Sequence, residues 1–217
     1  MERITAKIEP FEKHASDYEA WFENYRFVYE SELRAIKEQL PKKGDGVEVG
    51  VGSGRFAAPL GIRLGVDPSS KMRELARNRG ITAIDGVAEK LPFDDCRFHF
   101  FLMVTTICFL DDIEAALKEA HRVLQPAGYL IIGLIDKDSP VGTLYQQQKS
   151  ESVFYKVATF FSVDEVTSYL KKTGFIDLKF TQTIFHHLSE IKELEPIQKG
   201  YGDGSFVVIK ALKPEAT

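Results

Sequence analysis

A short apolar run that ends in alternating glycines constrains this chain more than any other segment. Residues 46–54 read GVEVGVGSG, so an acid and three glycines follow one another within nine positions. Glycine lets the backbone turn sharply and lets a ligand lie against bare main chain. A second acid, Asp67, closes the apolar run at 64–66, thirteen residues after Gly54. This pairing predicts a nucleoside-type pocket at the carboxyl ends of two neighbouring parallel strands.

The spacing of the glycines argues against two common phosphate-binding loops. The dinucleotide fingerprint needs glycine at relative positions one, three and six, and counting from Gly50 the sixth position is Arg55. Glu48 stands just before the loop, where its charge disfavours a phosphate and favours an ammonium or a sulfonium. No Gly-Lys-Ser or Gly-Lys-Thr sequence is present. An NAD-dependent oxidoreductase is therefore the disfavoured alternative.

Four segments in order resemble the motifs of the class I S-adenosylmethionine (SAM)-dependent methyltransferases. The closest subgroup is the ubiquinone/menaquinone-biosynthesis-like (type 11) methyltransferases, which mostly act on small molecules. The segments are 48–54 (EVGVGSG), 65–69 (GVDPS), 85–93 (DGVAEKLPF) and 122–128 (RVLQPAG).

The resemblance implies SAM as cofactor, S-adenosylhomocysteine as product and a set of cofactor-binding residues. Asp67 would accept hydrogen bonds from both ribose hydroxyls, and the end of the fourth strand would face the transferable methyl. The implied residues are Glu48, Gly50, Val51, Gly52, Ser53, Gly54, Asp67, Pro68, Ser69, Val87, Ala88, Glu89, Met103, Val104 and Thr105.

One departure from the family pattern concerns adenine. Val87 stands where many relatives carry an acid that bonds the adenine amino group. Either Asp85 or Glu89 substitutes for that acid, or the main chain alone binds adenine.

The resemblance implies methyl transfer to a small-molecule acceptor at O, N or C by in-line displacement. A neutral thioether leaves, so orientation can supply much of the acceleration. The sequence identifies no catalytic base, which keeps a non-catalytic SAM-binding regulatory protein as an alternative. Aromatic residues of the first helix and of segment 136–161 would line the acceptor pocket and hint at a flat, apolar or amine substrate. The candidate substrate residues are Tyr18, Phe22, Thr106 and Tyr155.

Composition narrows the partners and the compartment. The net charge of −4 argues against a nucleic-acid partner, and no apolar run approaches the ~20 residues of a membrane span. Residues 1–4 lead into charged residues and not into a signal-peptide core. The two cysteines and the adjacent His186 and His187 do not form a metal-ligand pattern. We therefore expect a cytoplasmic protein without a metal, as a monomer or homodimer.

The alternation of helical and strand patterns predicts a single α/β domain with a parallel sheet. The resemblance implies a Rossmann-like three-layer sandwich whose seven-stranded sheet is mostly parallel and has an antiparallel last strand. We divide the chain into an N-terminal helical cap (1–41), a cofactor-binding core (42–135) and a substrate-side segment with C-terminal strands (136–217).

Particular patterns predict individual elements. The aromatic stripe at three- and four-residue steps predicts one long helix over 16–39, capped by Ser16 with Glu19. Ser162 with Glu165 predicts a second capping box. The Lys/Glu-rich run 190–199 predicts a solvated surface segment.

Overall fold

The computed structural model describes residues 7–215, so the first six residues of the predicted cap and the last two of the chain lie outside the described part. The helices are α1 (Glu9–Lys13), α2 (Ala15–Asn24), α3 (Arg26–Gln39), α4 (Ala57–Leu60), α5 (Ser70–Asn78), α6 (Ile113–Val123), α7 (Pro140–Gln147) and α8 (Val163–Lys172), with single 3₁₀ turns at Ile107–Phe109 and Tyr155–Val157. The strands are β1 (Gly46–Val49), β2 (Leu64–Val66), β3 (Thr82–Ile84), β4 (Phe98–Val104), β5 (Leu124–Ile135), β6 (Ile176–Thr183), β7 (Gln198–Lys199) and β8 (Phe206–Leu212). None of the helices in this described part is long and apolar enough to cross a bilayer.

The strands form one sheet in the order β3-β2-β1-β4-β5-β8-β6-β7. Strands β1 to β5 pair in parallel, and β8 is antiparallel to both of its neighbours, β5 and β6. The predicted mostly parallel sheet with an antiparallel last strand is confirmed. The sheet has eight strands where seven were expected, because the two-residue strand β7 adds to the edge beside β6.

Helices cover both faces of this sheet, which gives the three-layer arrangement. On one face the core contains α6 and α8 with side chains such as Phe101, Leu130 and Val207. On the other face α3 packs against Leu102, Ile131 and other alternate residues of the same strands. Strand β4 is buried on both faces over residues 100–104, as its apolar sequence there predicts, and only His99 near its start is exposed.

The N-terminal cap differs from the single helix that was predicted. The helical run separates at Tyr25, whose φ of −116° and ψ of 43° lie outside the helical region, and a short helix α1 precedes it. His14 and not Ser16 stands at the start of α2, so the predicted capping box is wrong there. Glu19 instead pairs with Arg55 and Arg79, because tertiary ion pairs with the glycine loop and α5 engage its carboxylate.

The capping box of α8 is confirmed, since Ser162 and Glu165 bond each other's main-chain amides. The prediction of a solvated segment over 190–199 is only partly right. Ile191 and Glu195 are buried, and the Glu195 amide donates to the Ser31 hydroxyl of α3 at 2.9 Å. These contacts hold the connection between β6 and β8 against the cap.

Candidate active site

The glycine loop joins β1 to α4 at the carboxyl edge of the parallel strands. The amides of Gly50 and Val51 both donate to the Val66 carbonyl of β2, at 2.8 and 3.0 Å. Gly52 has a φ of +52°, and a Cβ placed on it would lie 2.7 Å from the hydroxyl of Tyr18. The bend therefore needs glycine both for its left-handed backbone and for the close approach of α2.

Gly54 performs the packing role that the third glycine of a dinucleotide loop performs at the sixth position. A Cβ on Gly54 would lie 3.3 to 3.5 Å from Ile81 and from Ala76 of α5. The next residue, Arg55, turns outward and ion-pairs with Glu19 and Glu23 of α2 at 2.8 and 3.0 Å. The loop thus closes on both sides without glycine at the sixth position.

Asp67 follows β2 and faces the glycine loop. One carboxylate oxygen accepts the Gly52 amide at 2.8 Å and the other accepts the Ser69 amide at 2.9 Å. Burial raises the pKa of this carboxyl to about 6, although the two amide donors oppose the shift. Each oxygen retains a lone pair for a further donor, so Asp67 can bind a diol without releasing the loop.

A cavity of about 120 Å³ lies above this edge of the sheet. Its floor is the glycine loop with Asp67, and its wall includes residues 86–89 and the end of β4. Lys7, Ile8 and Phe11 of the N-terminal segment line it from above. Because the chain reverses its direction of strand addition between β1 and β4, this cavity occupies the topological switch point of the sheet. We call it the cofactor cavity.

Glu48 lies beneath the loop and not in the cavity wall. It is 1 % exposed, and its Oε2 has no hydrogen-bond partner among the described residues. Burial raises the pKa of Glu48 well above its usual range, against the opposing effect of the Ala57 amide. A cation near the loop would relieve this cost.

The end of β4 is conformationally strained. Thr105 has a φ of +48°, which is unusual for a β-branched residue. Its amide is held by the Gly133 carbonyl at 2.8 Å, and the Thr106 hydroxyl donates to the Val104 carbonyl at 3.0 Å. The turn places Thr105 between the cofactor cavity and a second cavity, both of which it lines.

The second cavity encloses roughly 310 Å³, and ten of its sixteen lining residues are aromatic. The walls come from α2, which contributes Trp21 and Phe22, and from the segment 145–155, which contributes Tyr145 and Tyr155. The Tyr145 and Tyr155 rings stack with centroids 4.5 Å apart. We call it the acceptor cavity. It shares Phe11, Tyr18, Thr105 and Phe109 with the cofactor cavity, so the two spaces adjoin.

Two acids line the acceptor cavity, and one of them is buried. Asp17 is exposed, whereas Glu32 of α3 is only 3 % exposed. Burial raises the pKa of its carboxyl to about 8. Sequence analysis did not identify Glu32, although its position four residues after Val28 and four before Ile36, both buried, indicates the inward face of α3.

Comparison with known proteins identifies the family. A profile described as "Methyltransferase domain" matches residues 47–132. A solved structure from Thermotoga maritima, a SAM-dependent methyltransferase described as a possible histamine N-methyltransferase, is 52 % identical with a TM-score of 0.93, over 95 % of this chain and 99 % of that chain. The chain belongs to the class I SAM-dependent methyltransferases. Within them it resembles the ubiquinone/menaquinone-like group, and its cofactor is SAM.

Two further relatives of this methyltransferase differ in coverage. An uncharacterized protein of Methanocaldococcus jannaschii is 45 % identical over 94 % of this chain and 98 % of its own length. A demethylmenaquinone methyltransferase of Chlorobaculum tepidum is 34 % identical, but the match spans 54 % of this chain and only about half (51 %) of the relative. The profile match, at residues 47–132, likewise spans only the middle of the chain.

The structure brings together most of the residues that the sequence assigned to this methyltransferase's cofactor. Nine of the fifteen line the cofactor cavity, namely Gly50, Gly52, Asp67, Pro68, Val87, Ala88, Glu89, Val104 and Thr105. Of the candidate substrate residues, Tyr18, Phe22 and Tyr155 line the acceptor cavity, and Thr106 lines the cofactor cavity instead.

The other six predicted cofactor residues do not line the cofactor cavity and lie behind its wall, namely Glu48, Val51, Ser53, Gly54, Ser69 and Met103. Met103 cannot present its side chain to the cavity, because alternate residues of β4 point to opposite faces and Met103 is buried in the α6 and α8 core. The Ser69 hydroxyl accepts the Met72 amide and caps α5. These residues shape the site from outside it.

The positions of Asp85 and Glu89 bear on which group would replace the adenine-binding acid that many relatives carry at the position of Val87. The Asp85 side chain is 75 % exposed and ion-pairs with Arg73 at 2.7 Å, outside the cavity lining. Glu89 lines the cavity, but its Oε1 already accepts the Asp111 amide at 2.9 Å. Of the three alternatives, this arrangement favours the main chain of 86–88.

Sequence analysis also did not identify the covering residues Lys7, Ile8 and Phe11. The Lys7 ammonium donates to the Leu110 carbonyl at 3.1 Å and lies 3.6 Å from the Asp111 carboxylate. These contacts join residues about a hundred positions apart, and no local pattern signals them.

Proposed function

We propose that this methyltransferase transfers the methyl group of SAM to a small molecule bound in the acceptor cavity. The observation that carries the proposal is the shared wall, in which Tyr18 and Thr105 line both cavities. A group at that junction is accessible from both sides, as a methyl in transit must be. A volume of roughly 310 Å³ suits a small ligand.

The residues of the cofactor cavity match the chemical groups of SAM. The left-handed bend at Gly50 and Gly52 exposes main chain on which a methionine moiety can lie. Asp67 holds the ribose hydroxyls, and Val87 and Ala88 lie along adenine. Glu48 below the loop favours the cationic end, because a nearby cation stabilises the ionised form of its carboxyl. When bound, SAM supplies an electrophilic methyl carbon whose leaving group is a neutral thioether.

The chain's own contribution to the reaction is mainly orientation. The aromatic wall excludes water and holds the acceptor flat, and Thr105 and Tyr18 fix its approach to the junction. The phenol of Tyr18 stays protonated near neutral pH, because burial and the neighbouring Asp67 raise its pKa. It therefore acts as a hydrogen-bond donor and not as a base, and holding two reactants in line can supply up to ~7–11 kcal/mol.

The name of the Thermotoga maritima relative supports nitrogen as the acceptor atom. That protein is 52 % identical and is described as a possible histamine N-methyltransferase. An aromatic cavity with an acid in its wall is compatible with an amine.

The proposal is tested with labelled SAM and a pool of small amines, alcohols and phenols. We expect label in at least one acceptor. Asp67→Ala should weaken SAM binding at least tenfold by calorimetry, since the charged partner of the diol is lost.

Asp85→Ala is the matched control, because it removes an acid at the same edge of the sheet from outside the cavity. SAM binding without transfer to any compound would favour a non-catalytic SAM-binding protein. Equal affinity in the Asp67 variant would contradict the assignment of the ribose.

A further inference from the structure

Glu32, the buried acid of the acceptor cavity, has no hydrogen-bonding or charged partner among the described residues. Glu32 is 3 % exposed and lines the cavity, and its carboxylate makes no hydrogen bond or ion pair with any residue of the described range 7–215. A buried carboxyl normally acquires such partners, because leaving it without them costs free energy. Its surroundings therefore point to a partner that arrives from outside.

The charge of the cavity shows what kind of partner fits. Its only ionisable residues besides tyrosines are Glu32 and Asp17, and no Lys, Arg or His is among the described lining residues. Glu32 acts electrostatically on the phenols of Tyr145 and Tyr155, which carry no positive charge. The lining therefore offers a bound cation an acid and no opposing positive charge.

The aromatic rings strengthen this selection. Trp21, Tyr25 and Tyr145 line the same cavity as Glu32. The faces of such rings carry negative electrostatic potential and attract cations, most strongly where water is excluded. A carboxylate and several rings around one space make a site for a cationic nitrogen attached to an apolar body.

We propose that Glu32 is the residue that selects the acceptor, by pairing with the cationic nitrogen of an amine bound among the aromatic rings. This assignment rests on the function proposed above and specifies its substrate class. The partner is not the ammonium of SAM, because Glu32 lines the acceptor cavity and does not line the cofactor cavity. Glu32 is a binding and specificity residue, and the remaining affinity comes from the rings.

The experiment compares matched amines and alcohols. Arylethylamines with phenyl, imidazolyl and indolyl rings, and the corresponding arylethanols, are titrated calorimetrically into protein saturated with S-adenosylhomocysteine. A pH of about 8 keeps an alkylamine protonated. We expect each wild-type complex to favour the amine over its alcohol at least about tenfold, and Glu32→Gln to reduce that preference to less than about threefold.

Two controls separate charge from folding. Glu38→Gln removes the same charge from the exposed side of the same helix and should keep the wild-type preference. Glu32→Gln should fold at least as stably as the wild type, because it removes a buried carboxyl that lacks a partner, and thermal unfolding checks this. SAM affinity should be the same in all three proteins.

The possible outcomes are distinct. A preference for amines that survives Glu32→Gln overturns the proposal, and so does stronger binding of the alcohols or a failure of both series to bind. Label transfer from SAM to a neutral acceptor alone would retain the methyltransferase function and refute the amine assignment. If the wild-type protein did not bind SAM, the proposed function itself would be refuted.

Discussion

At the scale of single residues, Gly52 of the cofactor loop lies in close contact with Tyr18 of α2. We expect Gly52→Ala to raise the dissociation constant for SAM at least about tenfold. The added Cβ would lie 2.7 Å from the Tyr18 hydroxyl at a φ of +52°, and left-handed backbone alone costs an alanine about 1–2 kcal/mol. Adding Tyr18→Phe should restore part of the affinity, since the clashing oxygen is removed. Calorimetry on both variants measures this.

Gly61→Ala is the matched control for backbone strain. Gly61 also has a positive φ, of +75°, but a Cβ there meets nothing within 4 Å. We expect lower stability and unchanged SAM affinity. Wild-type affinity in Gly52→Ala would show that the loop does not approach the cofactor as we propose.

Asp67 should make cofactor binding pH-dependent. Its pKa in the free protein is raised to about 6, and a carboxylate that accepts hydroxyl hydrogen bonds binds in its ionised form. SAM binding therefore lowers the pKa of Asp67, and the affinity for SAM is lost as the pH falls through about 6. Between pH 7 and pH 5 we expect the SAM dissociation constant to rise roughly tenfold.

Asp67→Asn supplies the comparison, because it cannot titrate. Its SAM affinity should be weaker than that of the wild type at pH 7 but nearly constant across the same range. A parallel decline in both proteins would assign the pH dependence to another group.

At the scale of elements, α1 is fastened to the start of α5. The Glu12 carboxylate accepts the Ser69 hydroxyl at 2.7 Å and the Lys71 amide at 3.2 Å, directly beside Asp67, which accepts the Ser69 amide. We expect Glu12→Ala to speed SAM dissociation by about five- to tenfold, because two charge-assisted bonds hold the cover in place. Stopped-flow displacement measures that rate.

Glu9→Ala is the control on the same short helix, since Glu9 is exposed and, within residues 7–215, pairs only with Lys13. Its dissociation rate should match the wild type. Equal rates for the Glu12 variant would mean that α1 does not retain the cofactor.

At the scale of the whole molecule, the cofactor cavity is bounded by the cap and by several strands of the sheet. Ligand binding to such a site stabilises the entire fold. At about a hundred times its dissociation constant, SAM should add ~2.7 kcal/mol to the free energy of unfolding. For a chain of this size that corresponds to a rise in Tm of roughly 5–10 °C, measured by differential scanning fluorimetry.

NADH provides the contrasting arm of that measurement. The loop lacks the glycine that a dinucleotide fingerprint has at its sixth position, and an ionised Glu48 near the loop would disfavour a pyrophosphate. We expect no shift in Tm with NADH. A shift with NADH and none with SAM would reverse the assignment of the cavity.

The sequence alone determined the features that depend on neighbouring residues. Alternating glycines specify a left-handed bend whatever surrounds it. The apolar run of β4 specifies a strand buried on both faces, and an acid at the end of β2 specifies a polar group at the ligand-binding edge. The position of Asp67 beside Gly52 followed from these local patterns and from the resemblance to the methyltransferase family.

Only the tertiary structure decided the features that depend on residues far apart in the chain. Glu19 forms ion pairs with Arg55 and Arg79 and does not cap its own helix. Glu12 accepts a hydrogen bond from Ser69, which is fifty-seven positions away in the sequence. Glu32 became distinctive only when α2, α3 and residues 145–155 enclosed it among aromatic rings. Such contacts arise from the summed packing of whole elements, and no short window of sequence contains the energy that selects them.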